Sequence, residues 1–171
     1  MPKLIKLIQG RPDWAEDPFL LVADEDPMPG QGGVILSLQR FQAEGDALLS
    51  GGRQVGVRVK PDEQVEALAY DLPRLAVVAL EFPKFRDGRA FSSAVLLRER
   101  YGYTGELRAV GDVLREQLAF MIRCGFDAFE LSDGTTPEDV ERKVRHFRHV
   151  YQTSADGRTP AFAERLQGEK A

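Results

Sequence analysis

From Val34 onward, short apolar runs return at regular intervals with longer helix-periodic stretches between them, and no other feature limits the possible folds as strongly. The runs are VILSL at 34–38, QVGVRV at 54–59, AVVALEF at 76–82, ELRAV at 106–110 and DAFEL at 127–131, each of strand length. After Pro61, Val65, Leu68, Ala69 and Leu72 follow the i, i+3, i+4, i+7 spacing of one helix face. The next face carries Phe91, Ala94, Val95, Arg98 and Tyr101, with the Arg98 stem expected along apolar surface and its head in water. Leu114, Leu118, Met121 and Ile122 form a third, ending at Gly125 as a C′ residue. Val140, Val144, Phe147 and Tyr151 form the last, and Thr136-Pro137-Glu138-Asp139 supplies its N-cap threonine, a proline at N1 and acids at the positive dipole end. Strands joined through helices run parallel, because each crossover returns the chain to the same end of the sheet. The expected class is α/β with parallel strand-helix repeats.

Five such units fit a curved fragment of a TIM-type (βα)8 barrel or an open doubly wound sheet. Arg58, Glu81, Arg108 and Glu130 each fall near the C-terminal end of an expected strand. A central doubly wound strand has apolar layers on both faces, and an unpaired charge there costs several kcal/mol. On the concave side of a barrel-like sheet the two cations and two anions neutralise one another, which favours the partial TIM-barrel-like sheet over the doubly wound alternative. Five units do not close a barrel, so the open side is expected to be covered by the N-terminal strands, by the tail, or by a second copy in a homodimer. Residues 1–33 read as an N-terminal appendage in which KLIKLI and PFLLVAD pair as a hairpin over a sheet edge or end, separated by GRPDWAEDP and followed by the turn-rich EDPMPGQGG. The βα-repeat domain then spans 34–153, and 154–171 is a loose tail.

Composition narrows the function classes. The 171 residues suit a single domain, and 43% hydrophobic with 29% charged residues is ordinary globular usage. A net charge of −4 argues against general nucleic-acid binding, which needs a basic surface. Cys124 is the only cysteine, so no intrachain disulfide and no CxxC motif exists, pointing to a reducing compartment. MPKLIKLIQG lacks the apolar core and cleavage site of a signal peptide, and no run approaches the roughly 20 apolar residues of a membrane span. The expectation is a cytoplasmic, bacterial-type protein that engages neither membrane nor nucleic acid.

Ligands of parallel α/β sheets bind at the carboxyl ends of the strands. Those ends carry Arg58 and Lys60, then Glu81, Lys84, Arg86, Asp87 and Arg89, then Arg108 and Asp112, then Glu130, Ser132 and Asp133. The candidate ligand-binding set is Arg58, Glu81, Lys84, Asp87, Arg89, Arg108, Asp112 and Glu130. Lys84, Arg89 and Arg108 together suit a small oxyanion, through guanidinium forks; an internal ion-pair network with Asp87 capping the following helix is the other reading. Glu81 and Glu130 have the chemistry of an acid-base pair, with structural ion pairing favoured. His146 and His149 stand three apart, a metal-compatible spacing without a marked third ligand, and no metal site is expected. Cys124 reads as a small buried filler, with a reactive thiolate assisted by neighbouring Arg123 as the less favoured reading. The chain has no GxGxxG after a strand and no GxxxxGK[ST], and no cofactor is evident. Gly30-Gln31-Gly32-Gly33 precedes a strand, the wrong order for a phosphate cradle.

Residues 82–131 resemble the bacterial domain-of-unknown-function family 934. The pattern DGR-x-[FY]-S followed by LR-x-R stands here as Asp87, Gly88, Arg89, Phe91, Ser92, Leu97, Arg98 and Arg100, and GELRA-x-GDVL as residues 105–114. Gln117 and Arg123-Cys124-Gly125-Phe126-Asp127 agree too, and a weaker likeness reaches back to about Arg53. Members carry the label of oxidoreductases of sulfite reduction, and their genes tend to lie beside those for sulfite reductase. The resemblance implies an accessory protein or oxidoreductase of assimilatory sulfate and sulfite reduction, docking to or supporting sulfite reductase or another protein of that system. The alternative is a small enzyme or anion-binding domain acting on a sulfur oxyanion or related metabolite at the strand ends.

Overall fold

The computed structural model describes residues 3–84, 86–146 and 149–168. Its strands are β1 (Lys3–Ile8), β2 (Arg11–Ala15), β3 (Phe19–Leu21), β4 (Gly33–Ser37), β5 (Val55–Val59), β6 (Val77–Phe82), β7 (Glu106–Gly111) and β8 (Ala128–Leu131). The helices are α1 (Leu38–Ser50), α2 (Arg89–Val95), α3 (Leu118–Arg123), α4 (Pro137–His146) and α5 (Ala161–Gly168). All eight strands form one sheet in the order β2-β1-β8-β7-β6-β5-β4-β3. From β3 to β8 each strand lies parallel beside its predecessor. That order never reverses, and a doubly wound sheet requires a reversal.

The two edge strands, β2 and β3, are neighbours in sequence, joined by Glu16-Asp17-Pro18 alone. Seven strand spacings would hold the edges of a flat sheet about 33 Å apart, whereas this connector reaches about 14 Å at full extension. The sheet therefore curls until its edges approach, giving a partial barrel-like α/β fold. The connector spans the gap between the two edges, whereas the N-terminal strands, expected as a cover, extend the sheet itself as β1, β2 and β3.

Alternation along each strand sorts residues between two faces. Val34, Leu36, Val57, Val78, Leu80 and Phe129 face outward and pack with Phe41, Leu97, Leu118, Met121 and Val140 of the helices in the main core. Each such side chain, fully buried, contributes roughly 1.5–3 kcal/mol. The concave face has a smaller apolar cluster of Ile35, Val77, Ala79 and Val110, with Phe19 packed against it. Glu81, Arg108 and Glu130 share that face by parity, as does Arg58, which lies level with Ala79.

Several local expectations change. The hairpin is β1 with β2, so its second strand is RPDWA rather than FLL. Gln9 and Gly10 both have positive φ, 52° and 78°, the geometry of the two-residue primed turns that match strand twist. Pro12 is tolerated because β2 is an edge strand, while FLL becomes β3 on the far edge. The helix expected after Pro61 is two short 3-10 turns, Val65–Leu68 and Leu72–Arg74. Pro73 explains this, since proline lacks an N–H and biases the preceding residue away from helix; Val65, Leu68 and Leu72 are still buried. α2 continues as a π turn over Leu96–Arg100, with Tyr101 N–H donating to Leu96 O at 3.2 Å. α3 starts only at Leu118 and ends before Gly125, whose φ of 103° fits the expected C′ role. Thr136 and Asp139 cap α4 reciprocally, the Asp139 N–H donating to Thr136 Oγ1 and the Thr136 N–H to Asp139 Oδ2. Phe147, expected on the α4 face, lies outside the described residues.

Candidate functional site

The middle of the concave face is ionic. Arg108, the third residue of β7, is wholly buried. Its Nε donates to Glu106 Oε1 at 2.6 Å, Nη1 to Asp17 Oδ2 at 2.6 Å and Glu130 Oε1 at 3.1 Å, and Nη2 to Asp17 Oδ1 at 3.0 Å. Four of its five N–H donors are thus committed within the chain. Lys6 Nζ of β1 meets the other Glu106 oxygen at 2.6 Å, and the Phe19 ring lies 6.0 Å from the Arg108 guanidinium carbon. The β-register makes this possible: Arg108 stands beside Ala79 and Ala128, whose small side chains leave room for the guanidinium. At the same level Arg58 Nε donates to Glu81 Oε2 at 3.1 Å, both residues half-buried.

Burial works against the Arg108 charge, but its hydrogen bonds to Asp17 and the nearby Glu106 carboxylate outweigh it and raise its pKa. Burial likewise pushes Asp17 up, and the Arg108 hydrogen bond and charge together with the Phe19 N–H bring it below the usual carboxylate range. A depressed folded pKa gives stability that is complete above the unfolded value, near 4, and is lost as pH falls through the folded value. Asp17→Asn is accordingly expected to lower stability at neutral pH and flatten the acid limb below about pH 4, read from urea midpoints across a pH series; an unchanged acid limb would place the titration elsewhere.

The loop after β6 forms a separate feature. Pro83, Lys84, Arg86, Asp87, Gly88 and Arg89 line an open hollow of about 630 Å³; Phe85 of this loop lies outside the described residues. The Arg89 fork holds Asp87 at 2.7 and 3.0 Å, and Asp87 accepts the Arg89 backbone N–H at 3.2 Å, a local turn that precedes α2, whose N-cap is Gly88 rather than the expected Asp87. Asp112 is exposed after β7, its N–H donating to Phe82 O at 2.7 Å. The structure thus places Arg58, Glu81, Arg108 and Glu130 on the concave face, and Lys84, Asp87 and Arg89 on a surface loop. Arg108 lies beneath Asp17 and Phe19 rather than at that loop.

Arg98 differs from its expected role. Its head is not in water: it donates to Gly125 O at 2.9 Å, Tyr103 O at 2.6 Å, Gly105 O at 2.9 Å and Asp127 Oδ2 at 2.7 Å. Loops bring three carbonyls to one point, and the periodicity of a single helix carries no trace of them. On the helical side a groove of about 440 Å³ runs between α2, its π turn, α3 and residues 152–154. Cys124 lies buried on its floor, and burial raises its thiol pKa. Arg123 fastens the far wall through Asp156 and Gln152 O. His149 meets Glu164 at 2.8 Å, while the His146 side chain lies outside the described residues. No group of three or more His, Cys, Asp or Glu is arranged to hold a metal among the described residues, and no helix there is long and apolar enough to cross a membrane.

Lys6, Asp17 and Glu106 complete the ionic centre without having been singled out in the sequence. Glu106 carried a signal, since a residue two before Arg108 in a strand shares its face. Asp17 lies 91 positions from Arg108, and no local pattern links the two.

The fold and its centre define a partial barrel-like α/β protein whose concave face is occupied by its own ion pairs. The chain belongs to the bacterial family described as a bacterial protein of unknown function (DUF934), whose model matches residues 56–162. No curated protein matches it.

Proposed function

We propose that this chain is a cytoplasmic, non-catalytic accessory protein of assimilatory sulfate and sulfite reduction that works by docking to sulfite reductase or another component of that system. The pathway rests on the DGR and GELRA motifs and what their resemblance implies. The docking role rests on one observation: the concave centre, over which barrel enzymes assemble their sites, is filled here by Arg108, its three carboxylates and Phe19. A group that has spent its donors inside the chain has little left to offer a substrate.

Affinity purification of the tagged chain from its native host tests this. Sulfite reductase is expected to co-purify, and a deletion strain should grow poorly on sulfate. Normal growth on sulfate would overturn the reading. A second reading has its own support, because three cations surround the 630 Å³ hollow and, among the described residues, only Arg89 is tied to an acid of that loop. Calorimetry with sulfite, sulfate and phosphate separates the two. Saturable binding abolished by Lys84→Ala would replace docking with an anion-binding function, and a yellow or brown purified protein would favour the oxidoreductase reading.

A further inference from the structure

The segment 13–26 is the most one-sided stretch of the chain. It holds Asp13, Glu16, Asp17, Asp24, Glu25 and Asp26 and neither lysine nor arginine, in a protein whose whole net charge is −4. Asp17 is spent on Arg108, and Asp24 accepts from Ser37 Oγ at 2.5 Å. Glu16, Glu25 and Asp26 are exposed and form no ion pair among the described residues. Between these acids lies β3, where Leu20 and Leu21 are 58% and 53% exposed. Two adjacent leucines left in water forgo the roughly 1.5–3 kcal/mol that burial of each would contribute.

β3 is also the last strand of the sheet, with β4 on one side and, among the described residues, no strand on the other. Residues of a parallel ladder turn their N–H and C=O groups alternately to either side. Val22 N–H is bonded to Ile35 O, so the backbone groups of Leu21 turn away from β4. Such an edge invites another strand, and nearby charge is a common way to limit that to the right partner. Like charge repels a second copy meeting the same edge by two-fold symmetry, as it repels nucleic acid and anionic lipid. It attracts cations.

We propose that β3, with the acidic turns flanking it, is a docking edge for an extended, basic and apolar segment of a partner protein. The edge gives the docking role proposed above its contact surface; main-chain pairing along β3 sets direction, the two leucines take apolar side chains, and Glu16, Glu25 and Asp26 face lysine or arginine.

A fluorescein-labelled peptide of alternating lysine and valine, its glutamate-valine counterpart, and a lysine-valine peptide N-methylated at alternate amides test the edge by anisotropy with the full chain. The lysine peptide is expected to bind saturably, at least tenfold more weakly at 300 mM than at 50 mM salt, and the other two not to bind. Glu25→Lys should weaken it about tenfold, while Glu66→Lys, the same charge change at an exposed site before β6, should leave it within a factor of two. Equal loss in both variants, or equal binding of the N-methylated peptide, would reduce the effect to bulk charge and overturn the proposal. Absence of lysine-peptide binding at 50 mM salt would overturn it as well. Intact peptide binding without co-purified sulfite reductase would remove only the pathway assignment, and concentration-dependent dimerisation abolished by Glu25→Lys would make the occupant a second copy instead.

Discussion

Arg108→Ala is expected to lower unfolding stability by about 3 kcal/mol, because breaking a buried ion pair strands the charges left behind. Three carboxylates, Asp17, Glu106 and Glu130, lose their common cation at once. Lys6 remains beside Glu106 and all three acids keep some access to water, which holds the figure at the low end of the range for buried pairs. Urea denaturation of the variant and the wild type provides the measurement. Asp17→Asn in the Arg108→Ala background should then cost much less than in the wild type, since the partner it would lose is already gone. Additive losses would show that the two residues do not act as one unit.

The second large effect belongs to Arg98→Met, expected to cost at least about 3 kcal/mol, since a hydrogen bond to a charged group is worth roughly 1.5–3 kcal/mol and four are removed together, though bonds of one network do not add in full. The side chain ties α2 and its π turn to the loops before β7 and β8, through Tyr103, Gly105, Gly125 and Asp127. Gly125 leaves space for it, because a Cβ there would stand 2.4 Å from Arg98 Cγ. Burial already holds the Asp127 carboxyl above its ordinary range, against the pull of Arg98. Without the arginine it moves higher still. A raised carboxylate pKa costs stability above the unfolded value and returns it as pH falls, so the deficit of the variant should shrink between pH 7 and pH 4. Arg98→Lys keeps the charge but not the planar fork and should fall between the two. A deficit independent of pH would mean that Asp127 carries no part of the loss.

The repeat of strand and helix was legible because burial imposes a period on each element separately. Val34 to Leu38 and Val77 to Phe82 are read without knowing what lies beside them, and the capping residues Thr136 and Gly125 act within a few positions of themselves. Charges at the strand ends also favoured a curled sheet. Pro73, which limits the β5–β6 connection to short turns, is visible too, but the apolar spacing around it carries the stronger helical signal. Trp14 and Pro12 looked like turn residues because composition is a weak guide to an edge strand, whose stability comes from the partner it meets.

Sequence alone determined the parallel βα succession and the family motifs, since each depends on spacing within a few residues or within one strand, whereas the shared face of Arg58, Glu81, Arg108 and Glu130 was an expectation that the register between strands had to decide. Only the tertiary structure decided that Asp17 closes over Arg108, that Arg98 collects three carbonyls, and that β2 and β3 become opposite edges of one curled sheet. Those outcomes are set by contacts between segments far apart in the chain, where the free energy depends on three-dimensional proximity and leaves no local periodicity to read.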